Sequence, residues 1–153
     1  MKLYKNIIIL TFFIFVTSCG YAPLIDKQRE NIFISSLNLD GDRQVNNIIS
    51  NNLSKYKTFK DGAKNYTLEI LSEYKKNIIN KDEKGNPKNY NLQVKIKVSA
   101  TSIDGSEINK IFERNISLAS KNKKITERQL EKKYKRDLSN LITQDVIFFL
   151  INQ

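Results

Sequence analysis

Strict alternation of apolar and polar residues is the clearest pattern in this sequence, and it covers residues 90–101. The polar positions between the apolar ones include two lysines. The apolar members are Tyr90, Leu92, Val94, Ile96, Val98 and Ala100. A period of two places successive side chains on opposite faces of a β-strand. The pattern therefore predicts a strand with one face on a core and the other in water.

Two neighbouring segments have the same parity, though less regularly. Residues 66–76 and residues 112–118 carry apolar side chains mainly at even-numbered positions, which predicts two further half-buried strands. Arg114 interrupts the apolar parity of the second segment and indicates a sheet edge or a polar contact there. Polar turns at residues 81–88 and 104–105 separate these three strands, and Asp-Gly at the second is a hairpin signal.

The segment before these strands predicts one strand followed by one helix. Residues 31–39 are a plausible first strand, and in residues 43–57 apolar side chains recur at helical spacing. Asp42 precedes the helical pattern and is expected to be its N-cap, because a short acidic side chain accepts hydrogen bonds from the first free N–H groups.

A second, longer helix is predicted from Thr126 towards residue 151, with Thr126 and Gln129 placed for a capping box. Its apolar stripe comprises Leu130, Tyr134, Leu138, Leu141 and Phe148. Its basic residues Lys132, Lys133, Lys135 and Arg136 are expected to be mostly solvated. Residues 146–151 are apolar on all sides, which favours deep core over a surface for a partner protein.

The resulting order of elements is β–α–β–β–β–α. It predicts an α+β fold, with an antiparallel or mixed four-stranded sheet and two helices on one face. Residues 31–153 contain no internal repeat and no linker rich in proline, serine or glycine, so we expect them to form a single domain.

The first 30 residues have a different composition, typical of an exported lipoprotein. Lys2 and Lys5 precede an apolar run, residues 7–16, which is too short for a permanent membrane span and suits a signal peptide. Small residues then lead to Cys19, the only cysteine in the chain. We expect residues 1–18 to be a lipoprotein signal peptide, Cys19 to carry lipid, and residues 19–30 to tether the domain. An ordinary secretory signal is the alternative.

Composition bears on location and partners. Gly20 follows the lipidation site where aspartate often signals inner-membrane retention, so the periplasmic face of the outer membrane is favoured. The formal charge is +10, and it falls to about +8 when Lys2 and Lys5 leave with the signal peptide. An anionic partner would explain this charge, but heavy use of Lys, Asn and Ile across the chain fits a compositional bias equally well.

The residues that most enzymes need are missing. The sequence has no histidine, and its cysteine is assigned to lipid, which removes His-based acid–base catalysis, cysteine nucleophiles and the usual zinc ligands. The acidic pairs Asp40/Asp42 and Asp82/Glu83 lie in polar turns, where we expect solvation. We therefore predict a non-enzymatic protein with no cofactor and no metal site.

The chain resembles the LptE family of lipopolysaccharide-assembly lipoproteins over nearly its whole length. The resemblance lies in the order of features more than in one motif. Residues 19–24, Cys-Gly-Tyr-Ala-Pro-Leu, are similar to the start of mature members. A glycine-containing turn followed by an alternating strand matches residues 85–98, and the hairpin at residues 104–105 and the closing helix also fit.

This resemblance implies an α+β domain that plugs an LptD-type outer-membrane β-barrel and helps lipopolysaccharide reach the outer leaflet. It also implies where lipopolysaccharide is bound, in the loop before the long strand and in the loop after the last one. The matching basic residues, by region, are Lys84, Lys88, Lys121, Lys123 and Lys124. Their ammonium groups would pair with phosphates, whereas solvated loop charges without a ligand are the alternative.

Two other functions compete with this one. An auxiliary lipoprotein of a lipid-trafficking ABC transport system would share the anchor and the size. An enzyme acting on cell-wall glycans would need two acids in one cleft, and the sequence offers no such pair.

Overall fold

The computed structural model describes residues 32–59, 61–121 and 123–153. The predicted signal peptide (residues 1–18), the lipidation site Cys19 and the tether (residues 19–30) lie outside these residues. The described residues form the predicted β–α–β–β–β–α order.

Four strands form one mixed sheet, as predicted. They are β1 (Ile32–Gly41), β2 (Lys64–Lys81), β3 (Pro87–Ser102) and β4 (Glu107–Ala119). The strands lie side by side in chain order; β1 is parallel to β2, and the other neighbouring pairs are antiparallel. Because β4 is an edge strand, the position predicted for Arg114 is confirmed.

The parallel pair requires a crossover, and helix α1 (Arg43–Leu53) with a short 3₁₀ turn (Ser54–Tyr56) provides it. Asp42 is the N-cap, as predicted, and its Oδ1 accepts from the N–H groups of Gln44 and Val45 at 2.9 and 3.0 Å. Helix α2 (Lys124–Ile151) follows β4. Both helices lie against the same face of the sheet and contact each other.

The core lies between this face and the helices. The alternating apolar residues of β3 are buried from Leu92 to Ala100, and those of β2 are buried at Tyr66, Leu68 and Ile70. From the helices, the core receives Val45, Ile49, Leu53, Leu138, Ile142, Val146 and Leu150. The opposite face of the sheet is open and mostly polar.

The junction between β1 and α1 is tight. Gly41 has a φ of +100°, and a Cβ at this position would lie 1.9 Å from the carbonyl oxygen of Ser72 on β2. The N–H of Asp42 donates to that same oxygen at 3.1 Å. Only glycine combines this backbone conformation with so close an approach, so Gly41 fixes where α1 begins.

Three details of α2 differ from the prediction. The helix begins at Lys124, two residues before Thr126, and its cap residue Lys123 makes no side-chain cap hydrogen bond, so the predicted capping box is absent. Leu141 and Phe148 are exposed and not in the core. The stripe that packs on the sheet passes through Ile142 and Val146, so Leu141 and Phe148 lie beside it.

Candidate functional site

The two basic loops singled out in the sequence meet at one end of the sheet. Asn89 pairs with Ala119 between β3 and β4, and one residue further the N–H of Ser120 donates to the carbonyl oxygen of Lys88 at 2.8 Å. This end, formed by the β2–β3 turn and the β4–α2 loop, is called the basic end. The five lysines singled out in the sequence are all exposed here, beside exposed Lys81 at the end of β2. The five are Lys84, Lys88, Lys121, Lys123 and Lys124.

Within the β2–β3 turn, backbone and side-chain N–H groups donate to Asp82, and the lysine side chains are exposed to solvent. The carboxylate of Asp82 accepts from the N–H of Lys84 at 2.9 Å, and from the N–H and Nδ2 of Asn86 at 2.7 and 3.1 Å. The hydrogen bonds from Asn86 are the main cause of the lowered pKa of Asp82. Because the Asp82 carboxylate accepts hydrogen bonds from within the turn, it forms no ion pair with Lys84 or Lys88.

Glu127 on α2 holds the other loop. Its side chain is buried, with a residue exposure of 5%, and Oε2 accepts from the N–H of Lys121 at 3.2 Å and from Oγ of Ser120 at 3.1 Å. Burial alone would raise its pKa, but these bonds and an ion pair with Lys76 outweigh burial and hold the pKa at about 2. Glu127 is therefore a carboxylate at neutral pH that fixes the backbone beside Lys121.

Lys76 of β2 is the partner of two acids on α2. Its Nζ lies 3.2 Å from Oε1 of Glu127 and 2.7 Å from Oε2 of Glu131, and 4.2 Å from the ring centroid of Tyr90. Burial opposes its charge, but the hydrogen bonds to Glu131 and Glu127 outweigh that effect and raise the pKa of Lys76. The hydroxyl of Tyr74 also donates to Glu131, at 3.0 Å.

A second ion pair links α2 to the start of α1. Nζ of Lys135 lies 2.7 Å from Oδ2 of Asp42 and 4.3 Å from the ring centroid of Tyr74. Lys135 is only 8% exposed, so the expectation that it would be solvated is wrong, as is the solvated position expected for Asp42. The Lys135 ammonium contacts the ring of Tyr74 and the carboxylate of Asp42, and these contacts compensate for its lost hydration.

These ionic residues form one group, which we call the polar network, comprising Asp42, Lys76, Glu127, Glu131 and Lys135. Its charges nearly cancel within the group. Of the five lysines singled out in the sequence, only Lys124 lies near one of its acids, at 3.5 Å from Glu127. Among the described residues, no carboxylate lies within ion-pair distance of the other four. The positive charge of the basic end is therefore left for solvent or for a ligand.

Two further features suit this end to an anionic amphiphile. Lys123 and Lys124 lie at the N-terminus of α2, where the helix dipole places partial positive charge. A bound anion would offset the repulsion between this partial charge and the two ammonium groups. Ile78, Ile79 and Ile125 are exposed around the same loops. Phosphates with attached acyl chains would match this combination of ammonium groups and apolar surface.

In the part of the chain that the structure describes, no three acidic, cysteine or histidine side chains come together as a metal site would need. In the same part, neither helix has an apolar stretch of the length that crossing a membrane requires.

Comparison with known proteins gives matches in structure but not in sequence. No protein-family model matches this chain, and no curated protein matches it. The chain is similar to rare lipoprotein B from Shewanella oneidensis, with 12% identity, a TM-score of 0.55, and 76% of this chain and 97% of that one covered.

Two other solved lipoproteins have the same fold. A minor lipoprotein from Acinetobacter baumannii has 15% identity and a TM-score of 0.56, with 79% of this chain and 93% of that one covered. An uncharacterized lipoprotein B from Nitrosomonas europaea has 9% identity and a TM-score of 0.54, with 78% and 84% covered. At these identities the likeness establishes a shared fold, and it agrees with the fold that the LptE resemblance implies.

Proposed function

We propose that this chain is a lipid-anchored outer-membrane lipoprotein of the LptE type, with its domain on the periplasmic face. Lipid on Cys19 is the anchor. The signal-peptide pattern supports the anchor, and the solved proteins that share the fold are themselves lipoproteins. The match to rare lipoprotein B covers 97% of that chain.

In this proposal the domain acts by binding and has no enzymatic activity. It plugs the barrel of an LptD-type partner, helps that barrel to assemble, and contacts lipopolysaccharide on its way to the outer leaflet. The observation that carries the proposal is the hydrogen bond from Ser120 to Lys88, because it joins two separate basic loops into one surface. Five exposed lysines on that surface can meet several phosphates of one lipopolysaccharide molecule, acting as point charges.

An affinity pull-down tests the barrel partner. The tagged full-length lipoprotein is recovered from detergent-solubilised outer membranes, with an unrelated tagged lipoprotein as the control for non-specific recovery. We expect a large β-barrel protein in stoichiometric amount. Recovery of inner-membrane ABC transporter subunits, or of no protein beyond the control, would contradict the plug and favour the auxiliary lipoprotein.

The anchor is tested separately, by the mass of the purified protein. We expect the native chain to begin at Cys19 with acyl groups attached, and a Cys19→Ser variant to carry none. A native protein that begins elsewhere, or that lacks acyl groups, would refute the anchor.

A further inference from the structure

Strand β4 lies at one edge of the sheet, and alternate residues of it direct their backbone groups away from the domain. Every residue of β4 pairs with β3 without a shift in register. At the two ends of this ladder, the N–H of Ser102 donates to the carbonyl oxygen of Ser106, and the N–H of Ser120 donates to that of Lys88. In an antiparallel ladder such directly opposed, hydrogen-bonded pairs recur at every second residue. The even-numbered residues of β4 therefore bond to β3, and the N–H and C=O groups of the odd-numbered residues point outward.

These outward groups have no partner within the described residues. There, β3 is the only strand beside β4, and neither a loop nor a side chain hydrogen-bonds to the backbone of Asn109, Ile111 or Glu113. The opposite edge of the sheet, β1, is less regular, because a bulge between Ile34 and Ser36 interrupts its pairing with β2. Bulges protect an edge from pairing with another chain. Strand β4 is thus the regular edge that is open to a further strand.

An aromatic groove lies beside this edge. It is bounded by residues 110–114 of β4 and by the last turns of α2, and its volume is about 510 Å³. The half-buried rings of Phe112 and Phe149 both line it and pack edge to face, with centroids 5.8 Å apart. Phe148 lines the same groove and is 70% exposed. Because one groove is bounded by both elements, the three rings and the free edge of β4 form one continuous surface.

Lys110 gives this groove a positive charge. Its exposed side chain lines the groove, and it projects from β4 on the same face as that of Phe112, two residues along. Among the described residues, no carboxylate lies within ion-pair distance of Lys110. Arg114, also in the groove, is neutralised by Asp145 at 2.9 Å, and Glu113 projects to the open face of the sheet. On the side that α2 covers, the unneutralised charge of the groove is therefore that of Lys110.

We propose that β4 accepts an extended segment of another protein as a fifth, antiparallel strand. An aromatic side chain of this segment packs against Phe112, Phe148 and Phe149, and an acidic side chain lies beside Lys110. Outward N–H and C=O groups spaced two residues apart match a peptide backbone, and they match neither an acyl chain nor a sugar. A second copy of this chain matches poorly, because the charged residues of β4 on this face, Lys110 and Arg114, are both basic.

This inference goes beyond the proposed function and does not depend on it. The groove lies at residues 110–114 and does not involve the basic end. Strand addition requires no lipid anchor, no barrel and no lipopolysaccharide. It occupies only the edge of β4, so it leaves the basic end free to bind its own ligand.

A synthetic heptapeptide tests the strand addition. The probe is acetyl-Thr-Glu-Thr-Phe-Thr-Glu-Thr-amide, whose acidic and aromatic side chains share one face of an extended strand. It is added to the full-length protein in detergent micelles, and amide hydrogen exchange is measured along β4 by NMR. Without the probe, we expect slow exchange at even-numbered residues and fast exchange at Ile111 and Glu113. At saturating probe, exchange at Ile111 and Glu113 should slow at least about tenfold, because both N–H groups then donate to the added strand.

Two N-methylated probes separate strand addition from binding through side chains alone. In an antiparallel strand, the residues that bond to Ile111 and Glu113 lie directly opposite them and carry their side chains on the same face. In the probe these are the two central threonines. N-methylation of both threonines should abolish the protection of Ile111 and Glu113. N-methylation of both glutamates, whose N–H groups point away from β4, is the matched control and should preserve it.

Two substitutions test the side-chain contacts of the groove. Phe148→Ala should weaken binding of the probe at least about threefold, because it removes apolar surface that the probe would cover. Leu141→Ala, exposed on the same helix but outside the groove, should not. Lys110→Glu should reverse the preference for this probe over one with lysine in place of both glutamates, by at least about threefold. Lys132→Glu, with the same change in net charge, should leave the preference unchanged.

Several results would overturn the proposal. These are unchanged exchange at Ile111 and Glu113 up to the solubility limit of the probe, protection that survives N-methylation of the threonines, and equal effects of the groove variants and their controls. Protection of the same two residues that appears without probe, as the protein concentration rises, would identify a second copy as the occupant and would contradict the proposed partner.

Discussion

The two halves of α2 contact the sheet in different ways. The half that begins at the basic end contacts it through the polar network, with Glu127, Glu131 and Lys135 facing Lys76, Tyr74 and Asp42 (ion pairs and hydrogen bonds of 2.7 to 3.2 Å). The half that ends at Ile151 contacts it through buried aliphatic side chains, which are Leu138, Ile142, Val146 and Leu150.

The two kinds of contact have different roles: the apolar contacts stabilise the domain, and the polar contacts position a loop. Each fully buried aliphatic side chain contributes about 1.5–3 kcal/mol through water exclusion. A buried ion pair contributes little net free energy because desolvation offsets attraction, but its geometry is specific. We infer that the apolar half holds the domain together, and that the polar half fixes the β4–α2 loop, where Lys124 is the one basic-end lysine that it pairs.

Truncation in the apolar half should have the largest effect. Ile142→Ala removes a side chain with no exposed surface, and we expect a loss of about 2–4 kcal/mol in the free energy of unfolding, from transfer and cavity terms. Urea denaturation measures it. Leu141→Ala, at the exposed neighbouring position, is the control and should cost less than about 1 kcal/mol. Equal losses would contradict the packing of α2.

The junction that places Asp42 in the network should be nearly as sensitive. Gly41→Ala puts a methyl group 1.9 Å from the carbonyl oxygen of Ser72 in a left-handed backbone conformation. We expect a loss of about 2–4 kcal/mol in a urea titration. Gly85→Ala has a similar φ of +83° in open space, so it should cost only about 1 kcal/mol. A milder effect at Gly41 would refute the tight junction.

A change inside the polar network should have a smaller and more local effect. Glu127→Gln leaves Lys76 with Glu131 alone, and we expect a loss of about 1–2 kcal/mol. Amide hydrogen exchange should become faster at Ser120 and Lys121, and stay unchanged around Ile142. Glu83→Gln, an exposed acid at the same end, is the control. Uniformly faster exchange along α2 would show that the two halves are not separate.

The smallest effect is expected at acidic pH, where the free energies of unfolding of native protein and Glu127→Gln are compared. The folded-state pKa of Glu127 lies below its ordinary value of 4.5, at about 2. Its stabilising contribution is therefore complete above pH 4.5 and is lost as the pH falls towards 2. Urea titrations of native protein and Glu127→Gln across this range should converge near pH 2. A difference that stays constant from neutral pH to pH 2 would contradict the assigned ionisation.

Sequence patterns predicted most of the fold, because alternation and helical spacing report which faces are buried. The strand at residues 90–101, the cap at Asp42 and the polar contact at Arg114 are confirmed. Arg114 lies on the edge strand β4 and forms two hydrogen bonds with the carboxylate of Asp145, at 2.9 and 3.0 Å.

The polar network was missed because charged residues were assigned to solvent. One signal was available: Glu127, Glu131 and Lys135 are four residues apart and continue the stripe of Leu138 and Ile142 towards the helix N-terminus. The meeting of the two basic loops depends on the register of β3 and β4, which local pattern does not determine. The lipidation of Cys19 and the lipopolysaccharide-binding role of the five lysines stay predictions.

The most direct test of the central claim, that the basic end is an anion-binding surface, uses lipopolysaccharide itself. Lys84, Lys88, Lys121, Lys123 and Lys124 are all replaced by Gln, and binding to purified lipopolysaccharide is measured at low salt. The matched control replaces five exposed lysines elsewhere, namely Lys57, Lys64, Lys97, Lys110 and Lys132, with the same change in net charge.

We expect the basic-end variant to bind at least about fivefold more weakly than native protein, since each exposed charge contact contributes about 0.2–1 kcal/mol. The control variant should bind nearly as tightly as native protein. Unchanged binding in the basic-end variant, or equal losses in both variants, would show that these lysines are solvated loop charges and that the basic end is not the binding surface.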